Sequence, residues 1–220
     1  MPSAGTALPP PALPFADRIA AGRELAARLG HLAGRDVVVL GLPRGGVPVA
    51  AEVARALGAT LDALSVRKLG VPGHEELAFG AIATGGLRVT SPDLVGELGI
   101  DERTIAVVEA RERQELERRE RLYRGDRPPL DLAGRVVVLV DDGLATGATM
   151  LAAARAVRAE RPAWLVVAVP VGSWQAAALL REVADEVIVP ATPEPFGAVG
   201  LWYQRFDPTS DDEVRAALGT

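Results

Sequence analysis

Val138-Leu139-Val140-Asp141-Asp142-Gly143-Leu144-Ala145-Thr146-Gly147-Ala148-Thr149 is the stretch whose reading decides the fold. The apolar run before it, Arg135 to Val140, has the β-branched composition of a buried strand. It stops at two adjacent carboxylates. A turn of small residues runs from Asp141 to Gly147, and Ala148 to Glu160 then carries helical spacing. Strand, turn and helix in this order place the turn at the carboxyl edge of a parallel sheet, where open α/β sheets bind ligands. Gly143 and Gly147 let a ligand approach the backbone. The N–H groups of Ala145 to Thr149, together with the helix dipole, suit a phosphate. Thr146 and Thr149 add hydroxyl donors. Asp141 and Asp142 would repel that phosphate; they suit diol hydroxyls, or a metal, close by. Phosphate and diol on one ligand describe a sugar phosphate, most simply a ribose 5-phosphate. The string is neither a Walker loop, lacking Gly-Lys-Ser/Thr, nor a dinucleotide fingerprint, lacking GxGxxG.

The same unit occurs earlier in the chain. Phe15 to Gly30 has helical spacing, with Ile19, Leu25, Ala26 and Leu29 on one face and Gly30 as a stop. Val37-Val38-Val39-Leu40 is an apolar run that ends at Gly41-Leu42-Pro43-Arg44-Gly45-Gly46, and Val47 to Leu57 is helical again. Leu61 to Val66 reads as a second strand. Beyond the central turn, Trp164 to Val169 is a strand, Ser173 to Val183 a helix and Glu186 to Val189 a last strand. Hydrophobicity in these strands is continuous rather than alternating, which predicts an α/β fold whose parallel sheet is covered on both faces.

Two stretches interrupt the alternation. Residues 69–100 hold seven glycines and two strand-like pieces, Leu77–Ala83 and Leu87–Thr90, and read as a hairpin-bearing loop. Residues 101–124 read as a long charged helix, with Glu109→Arg113, Glu115→Arg119, Glu117→Arg121 and Glu120→Arg124 at i,i+4 spacing. Its acids and bases nearly cancel, which describes a solvated face rather than a nucleic-acid patch. Ile105, Val108, Leu116 and Leu122 are available to pack on the core or on another subunit. Residues 1–14, rich in Pro and Ala and without charge, are expected to form a disordered arm, leaving 15–220 as one domain.

Composition narrows the function. The chain has 220 residues, and 24 Lys+Arg against 29 Asp+Glu give a net charge of −5, which argues against a nucleic-acid coat. With no cysteine, disulfide frameworks, thiol nucleophiles and thiolate metal sites are excluded together. His31 and His74 are too few for a multi-histidine metal site. No apolar run approaches the ~20 residues that span a bilayer, and no signal-peptide pattern opens the chain, so a cytoplasmic protein acting on a small molecule is expected. Of 24 basic residues only one, Lys68, is a lysine.

The string from Val138 to Thr149 closely resembles the phosphoribosyl-diphosphate (PRPP) motif of type I phosphoribosyltransferases, and the likeness extends over most of residues 15–206. The whole chain looks like the stand-alone bacterial members of that family. The resemblance implies a Rossmann-like parallel-sheet core with a small hood and a flexible loop. It gives Asp141 and Asp142 the ribose 2- and 3-hydroxyls, and gives Gly143, Ala145, Thr146, Gly147, Ala148 and Thr149 the 5-phosphate loop. Mg2+ is the implied cofactor, approached by Asp141 and Asp142 only indirectly, through ribose or water.

Other positions acquire meaning beside it. Leu42-Pro43-Arg44-Gly45-Gly46 reads either as a tight βα turn or as a phosphate loop, since two glycines bare N–H groups and Arg44 offers a planar fork. The resemblance places pyrophosphate binding there, at Arg44, Gly45 and Gly46. Val66-Arg67-Lys68 reads as a solvated strand end or as cations facing pyrophosphate. The solitary lysine of an arginine-rich chain favours the second, with Lys68 first and Arg67 after it. The stretch after Lys68 resembles the mobile catalytic loop, and His74, Glu75 and Glu76 are its candidates for proton transfer. Pro195 to Tyr203 gathers three of the nine aromatics and resembles a C-terminal hood, spanning 191–206. These rings read either as anchors that tie the tail to the core or as a face for a flat base; Phe196 and Val199 are the candidates for contact with a base, while Trp202 and Tyr203 are the candidates for packing. One departure stands out: hypoxanthine-guanine enzymes carry an Asp where this chain has Ala145, so a general base must come from elsewhere.

The implied reaction is displacement of pyrophosphate from PRPP by a nitrogenous, purine-like acceptor, with catalysis resting on Lys68, Arg67, Asp142, Glu75 and Glu76. PRPP and a small base are then the partners, with no nucleic acid or membrane, in a homodimer. The competing reading is a non-catalytic module that binds PRPP or a nucleotide and regulates a partner; a different α/β phosphatase or cofactor binder ranks third, for want of its motif.

Overall fold

The computed structural model describes residues 8–125, 127–128 and 130–220, the side chains of Glu75 and Glu76 excepted. Five strands form one parallel sheet: β1 (Val37–Gly41), β2 (Thr60–Ala63), β6 (Val136–Val140), β7 (Trp164–Ala168) and β8 (Glu186–Ile188), in the order β2-β1-β6-β7-β8. The two central strands, β1 and β6, are buried at every position. That burial explains their unbroken apolar sequence, because alternate residues enter opposite cores. Val37, Val39, Val136 and Val138 meet Leu25, Leu29, Val49 and Val53 of α1 (Arg18–Arg28), α2 (Gly46–Leu57) and their surroundings. Val38, Leu40, Val137 and Leu139 meet Met150, Ala153 and Val157 of α5 (Ala148–Ala159) and Leu180 of α6 (Trp174–Leu180). Each such Val or Leu contributes about 1.5–3 kcal/mol relative to exposure.

The chain leaves this sheet sooner than its sequence suggests. The second strand, expected to run to Val66, ends at Ala63. Leu64 still donates to the carbonyl of Gly41, but the Ser65 N–H turns to the Thr84 hydroxyl at 2.9 Å. Val66–Val71 is instead β3 of a separate antiparallel sheet with β4 (His74–Ala83) and β5 (Leu87–Thr90). A short helix, α3 (Pro92–Glu97), leads into α4 (Glu102–Arg124). The small sheet lies between α5 and α4. Val66, Leu87 and Val89 join the core beneath it, and Leu69, Phe79 and Ile82 pack on Val108 and Leu116 of α4.

The charged helix forms over the expected residues, and its side chains pair selectively. Arg113–Glu109 and Arg119–Glu115 form at i,i+4. Glu120 instead accepts from the Gly85 N–H, and Arg124 turns inward to Asp62 at 2.7 Å, where the two side chains are only 9% and 7% exposed. A buried carboxylate outbids a solvated one, since the pair is stronger where water is excluded. A final helix, α7 (Asp211–Leu218), opens on a capping box between Ser210 and Glu213. In the stretch expected as a free arm, the Pro9 carbonyl accepts from Arg28 at 2.6 Å and Leu13 packs beside Phe15 and Tyr203. Among the described residues, no helix is long and apolar enough to cross a membrane.

Candidate active site

Two βα turns meet at the carboxyl edge of the parallel sheet. Gly45 and Gly46 open α2, and Asp141 and Asp142 follow β6. A Cβ on Gly46 would lie 2.7 Å from the Asp141 Cα, and one on Gly45 would overlap Asp142 Oδ2 and lie 2.7 Å from its carboxyl carbon. Glycine is therefore required by close approach of the two turns, and the double glycine and the double aspartate are one packing unit. The Asp142 N–H donates to Asp141 Oδ1 at 2.8 Å, orienting the first carboxylate. Burial pushes Asp141 well above the usual carboxylate range, aided by the neighbouring charge of Asp142. Burial also raises Asp142, against the opposing pull of Arg18.

Arg18, in the first turn of α1, is a site residue that the sequence reading missed. Its Nε donates to Asp142 Oδ2 at 2.8 Å. Its partner lies 124 residues away, so no local pattern reveals the pair. One weak signal exists: a cation at a helix N-terminus runs against the helix dipole. Tyr203, expected to serve packing, donates its hydroxyl to the Asp142 carbonyl at 2.6 Å.

From Gly143 to Gly147 the chain forms a loop, tied at buried Leu144 by a bridge to Gly172, and α5 begins at Ala148. Gly147 holds a left-handed φ of +75° at the N-cap of α5. Ser173 Oγ donates to the Ala145 carbonyl at 2.7 Å and caps α6, pinning the loop from below. Among the described residues, the N–H groups of Ala145, Thr146, Gly147 and Thr149 have no partner, and that of Ala148 reaches only the Thr146 hydroxyl at 3.4 Å. Several donors at the positive end of a helix form an anion site. Ala145, Thr146, Ala148 and Thr149 are all exposed.

The adjacent cations of β3 point opposite ways, as strand geometry demands. Arg67 faces α4, donating to Glu112 at 2.8 Å through Nε. Lys68 faces α5 and shares a cavity of about 250 Å³ with Ala148, Ala81, Thr90 and Arg155. A second cavity, of about 400 Å³, is lined by both Arg67 and Lys68 together with Thr149, Arg111 and Glu112. The structure thus brings Lys68 to the first turn of α5, and holds Arg67 in an ion pair with Glu112 at the edge of the cavity that reaches Thr149. Arg44 is half exposed, 3.9 Å from Asp211 of α7. That aspartate also accepts from the Tyr123 hydroxyl at 2.6 Å, and burial together with this contact pushes Tyr123 up to about 12. His74 is exposed at the start of β4. The side chains of Glu75 and Glu76 lie outside the described residues.

Residues 195–206 cover the acidic turn. A Cβ on Gly143 would lie 2.5 Å from Val199 Cγ1, so Val199 sits directly on the turn. Phe196 lies 6.3 Å from Trp202 between ring centroids, and the Trp202 indole N–H donates to the Phe196 carbonyl at 2.9 Å. Tyr203 and Phe206 stack at 4.9 Å.

Comparison with known proteins agrees with this geometry. Residues 16–190 match the model of the phosphoribosyl transferase domain. A Mycobacterium tuberculosis protein provisionally named a phosphoribosyl transferase is 52% identical over 204 residues, covering 93% of this chain and 46% of its own length. The chain therefore spans about half the length of the curated relatives it matches. The crystal structure of TT1426 from Thermus thermophilus superposes with a TM-score of 0.85 at 46% identity, covering 93% of this chain and 97% of that one. By its matched domain and by the acidic turn, phosphate loop and parallel sheet described above, the chain belongs to the phosphoribosyl transferase domain family.

Proposed function

We propose that the protein transfers ribose 5-phosphate from PRPP to a nitrogenous, purine-like base and releases pyrophosphate. One observation carries this reading: the diglycine turn and the diaspartate turn pack into each other beside a loop of unpartnered N–H groups. Few ligands ask for two anion loops flanking a diol-binding carboxylate pair; PRPP is one. In the reaction the bond from ribose C1 to pyrophosphate oxygen breaks, and its electron pair leaves with the pyrophosphate. A lone pair on the base nitrogen forms the new C1–N bond, and that nitrogen sheds a proton.

Each group has a place in this scheme. Ala145 to Thr149 hold the 5-phosphate, Asp141 and Asp142 hold the ribose hydroxyls, and Gly45, Gly46 and Arg44 hold the pyrophosphate. Lys68 neutralises the departing charge, a contribution that grows as water is excluded. Arg67 acts through Glu112, to which it is bound. Phe196 and Val199 contact the base beneath the 191–206 hood, and Glu75 or Glu76 takes the proton when the 69–100 hairpin closes. Among the described residues no group of three His, Cys, Asp or Glu gathers to hold a metal. Two carboxylates beside a polyphosphate nonetheless fit Mg2+, which prefers oxygen and keeps much of its water. When bound, the ion supplies charge neutralisation to the pyrophosphate. We place the activity in the cytoplasm, in a homodimer, as the charged helix and the family resemblance lead one to expect.

Calorimetric titration of PRPP with Mg2+, followed by a panel of bases assayed for pyrophosphate release, tests the reading. Binding with release for one base supports it. Binding without release for any base favours a regulatory module, and absence of binding refutes the assignment of residues 138–149.

A further inference from the structure

Arg18 is held by three parts of the molecule at once. Its Nε donates to Asp142 Oδ2 at 2.8 Å, and its Nη1 donates to the Asp207 carbonyl at 2.8 Å. Its guanidinium carbon lies 3.9 Å from the centroid of the Phe206 ring. The Arg18 side chain is 13% exposed and that of Asp142 15%, so the pair is largely shielded from water. Asp142 Oδ1, by contrast, accepts no hydrogen bond among the described residues. The segment that Arg18 grips reaches the same turn from the other side. Phe206 stacks on Tyr203, whose hydroxyl meets the Asp142 carbonyl, and neighbouring Trp202 holds the Phe196 carbonyl.

We propose that Arg18 is a positioning residue that locks the Asp142 carboxylate plane and couples it to the hood. By occupying Oδ2 it leaves Oδ1 turned toward the sugar. By gripping Phe206 and Asp207 it sets the height of Phe196 and Val199 above that sugar. Only a planar fork does all of this: an ammonium can pair with Asp142 but cannot also lie flat on Phe206 and span to the Asp207 carbonyl. The proposal rests on the reading of Asp142 as a ribose ligand.

The test is steady-state kinetics on the full chain with PRPP, Mg2+ and whichever of adenine, guanine, hypoxanthine or orotate the panel shows to release pyrophosphate. Arg18→Gln is expected to raise KM for PRPP about tenfold, the scale of one lost charge-assisted hydrogen bond. It should raise KM for the base as well. The turnover number should stay within about threefold, because ribose and base are held alike in ground and transition states. Arg18→Lys should restore KM for PRPP but not for the base. That split separates positioning from stability, since partial unfolding lowers the active fraction and leaves both KM values alone. Unchanged KM values in Arg18→Gln overturn the proposal, as does a rise for PRPP with none for the base. A wild-type protein that binds no PRPP overturns the underlying reading, and the proposal with it.

Discussion

Gly45→Ala probes the contact between the two turns. Gly45 sits at φ −63° and ψ −30°, a right-handed conformation open to alanine. On backbone grounds the substitution should therefore stabilise by about 0.4–1 kcal/mol. Its side chain decides otherwise. The new Cβ overlaps Asp142 Oδ2, lies 2.7 Å from the carboxyl carbon and 3.1 Å from Arg18 Nε. Overpacking costs about 1–3 kcal/mol, and displacing a charge-assisted hydrogen bond costs about 1.5–3 kcal/mol. The expected net loss is about 2–4 kcal/mol, or about 5–15 °C in melting temperature for a chain of this length. Urea unfolding followed by tryptophan fluorescence measures it. Gly30→Ala, with nothing within 4 Å of its added Cβ, is the neutral control. Combining Gly45→Ala with Asp142→Ala should recover about 1–3 kcal/mol of the summed losses, because the clash disappears with the carboxylate. Additivity to within about 0.5 kcal/mol, or wild-type stability in Gly45→Ala alone, would refute the reasoning.

Three further expectations concern stability. Asp141 has a folded pKa raised by burial, so its contribution is fully present below the unfolded value and lost as pH rises through the folded one. Asp141→Asn should thus raise the urea midpoint at pH 7, with the gain shrinking toward pH 4; a pH-independent difference would contradict the raised pKa. Arg124→Leu strands the buried Asp62 carboxylate and should cost about 3–5 kcal/mol, most of it restored by adding Asp62→Leu. Equal instability of the single and double variants would count against the stranded charge. Tyr203→Phe deletes the hydroxyl on the Asp142 carbonyl and should cost about 1 kcal/mol in chemical unfolding, with no loss meaning that water replaces it.

Much of the fold was legible where burial leaves a one-dimensional trace. β1, β6 and β7 read as strands because both their faces are buried, and the turn after β6 read as a ligand loop because its glycines and acids have no packing role in a strand. What escaped depends on distant partners. Nothing local to Val66–Val71 tells which sheet it joins; that is settled by Thr84 and the register with β4. Arg124 has a suitable Glu120 four residues back yet pairs with Asp62, since a desolvated carboxylate outweighs a solvated one. Arg18 escaped because each of its three partners lies 124 or more residues further along the chain. The cap of α7 was within reach: Ser210 followed by Glu213 is a helix-start signature in its own right.

The opposed cations of β3 carry a lesson about insertions and deletions. A strand sorts neighbours by parity, so Arg67 and Lys68 serve different helices although they are adjacent in sequence. Deleting Val66 would carry Arg67 to the face that looks at α5, Lys68 to the face that meets Glu112, and Leu69 out of its buried place. A one-codon deletion at that joint would therefore exchange the two faces of the whole strand without altering any side chain. Relatives aligned across the joint with a gap there should be compared by strand parity, not by column.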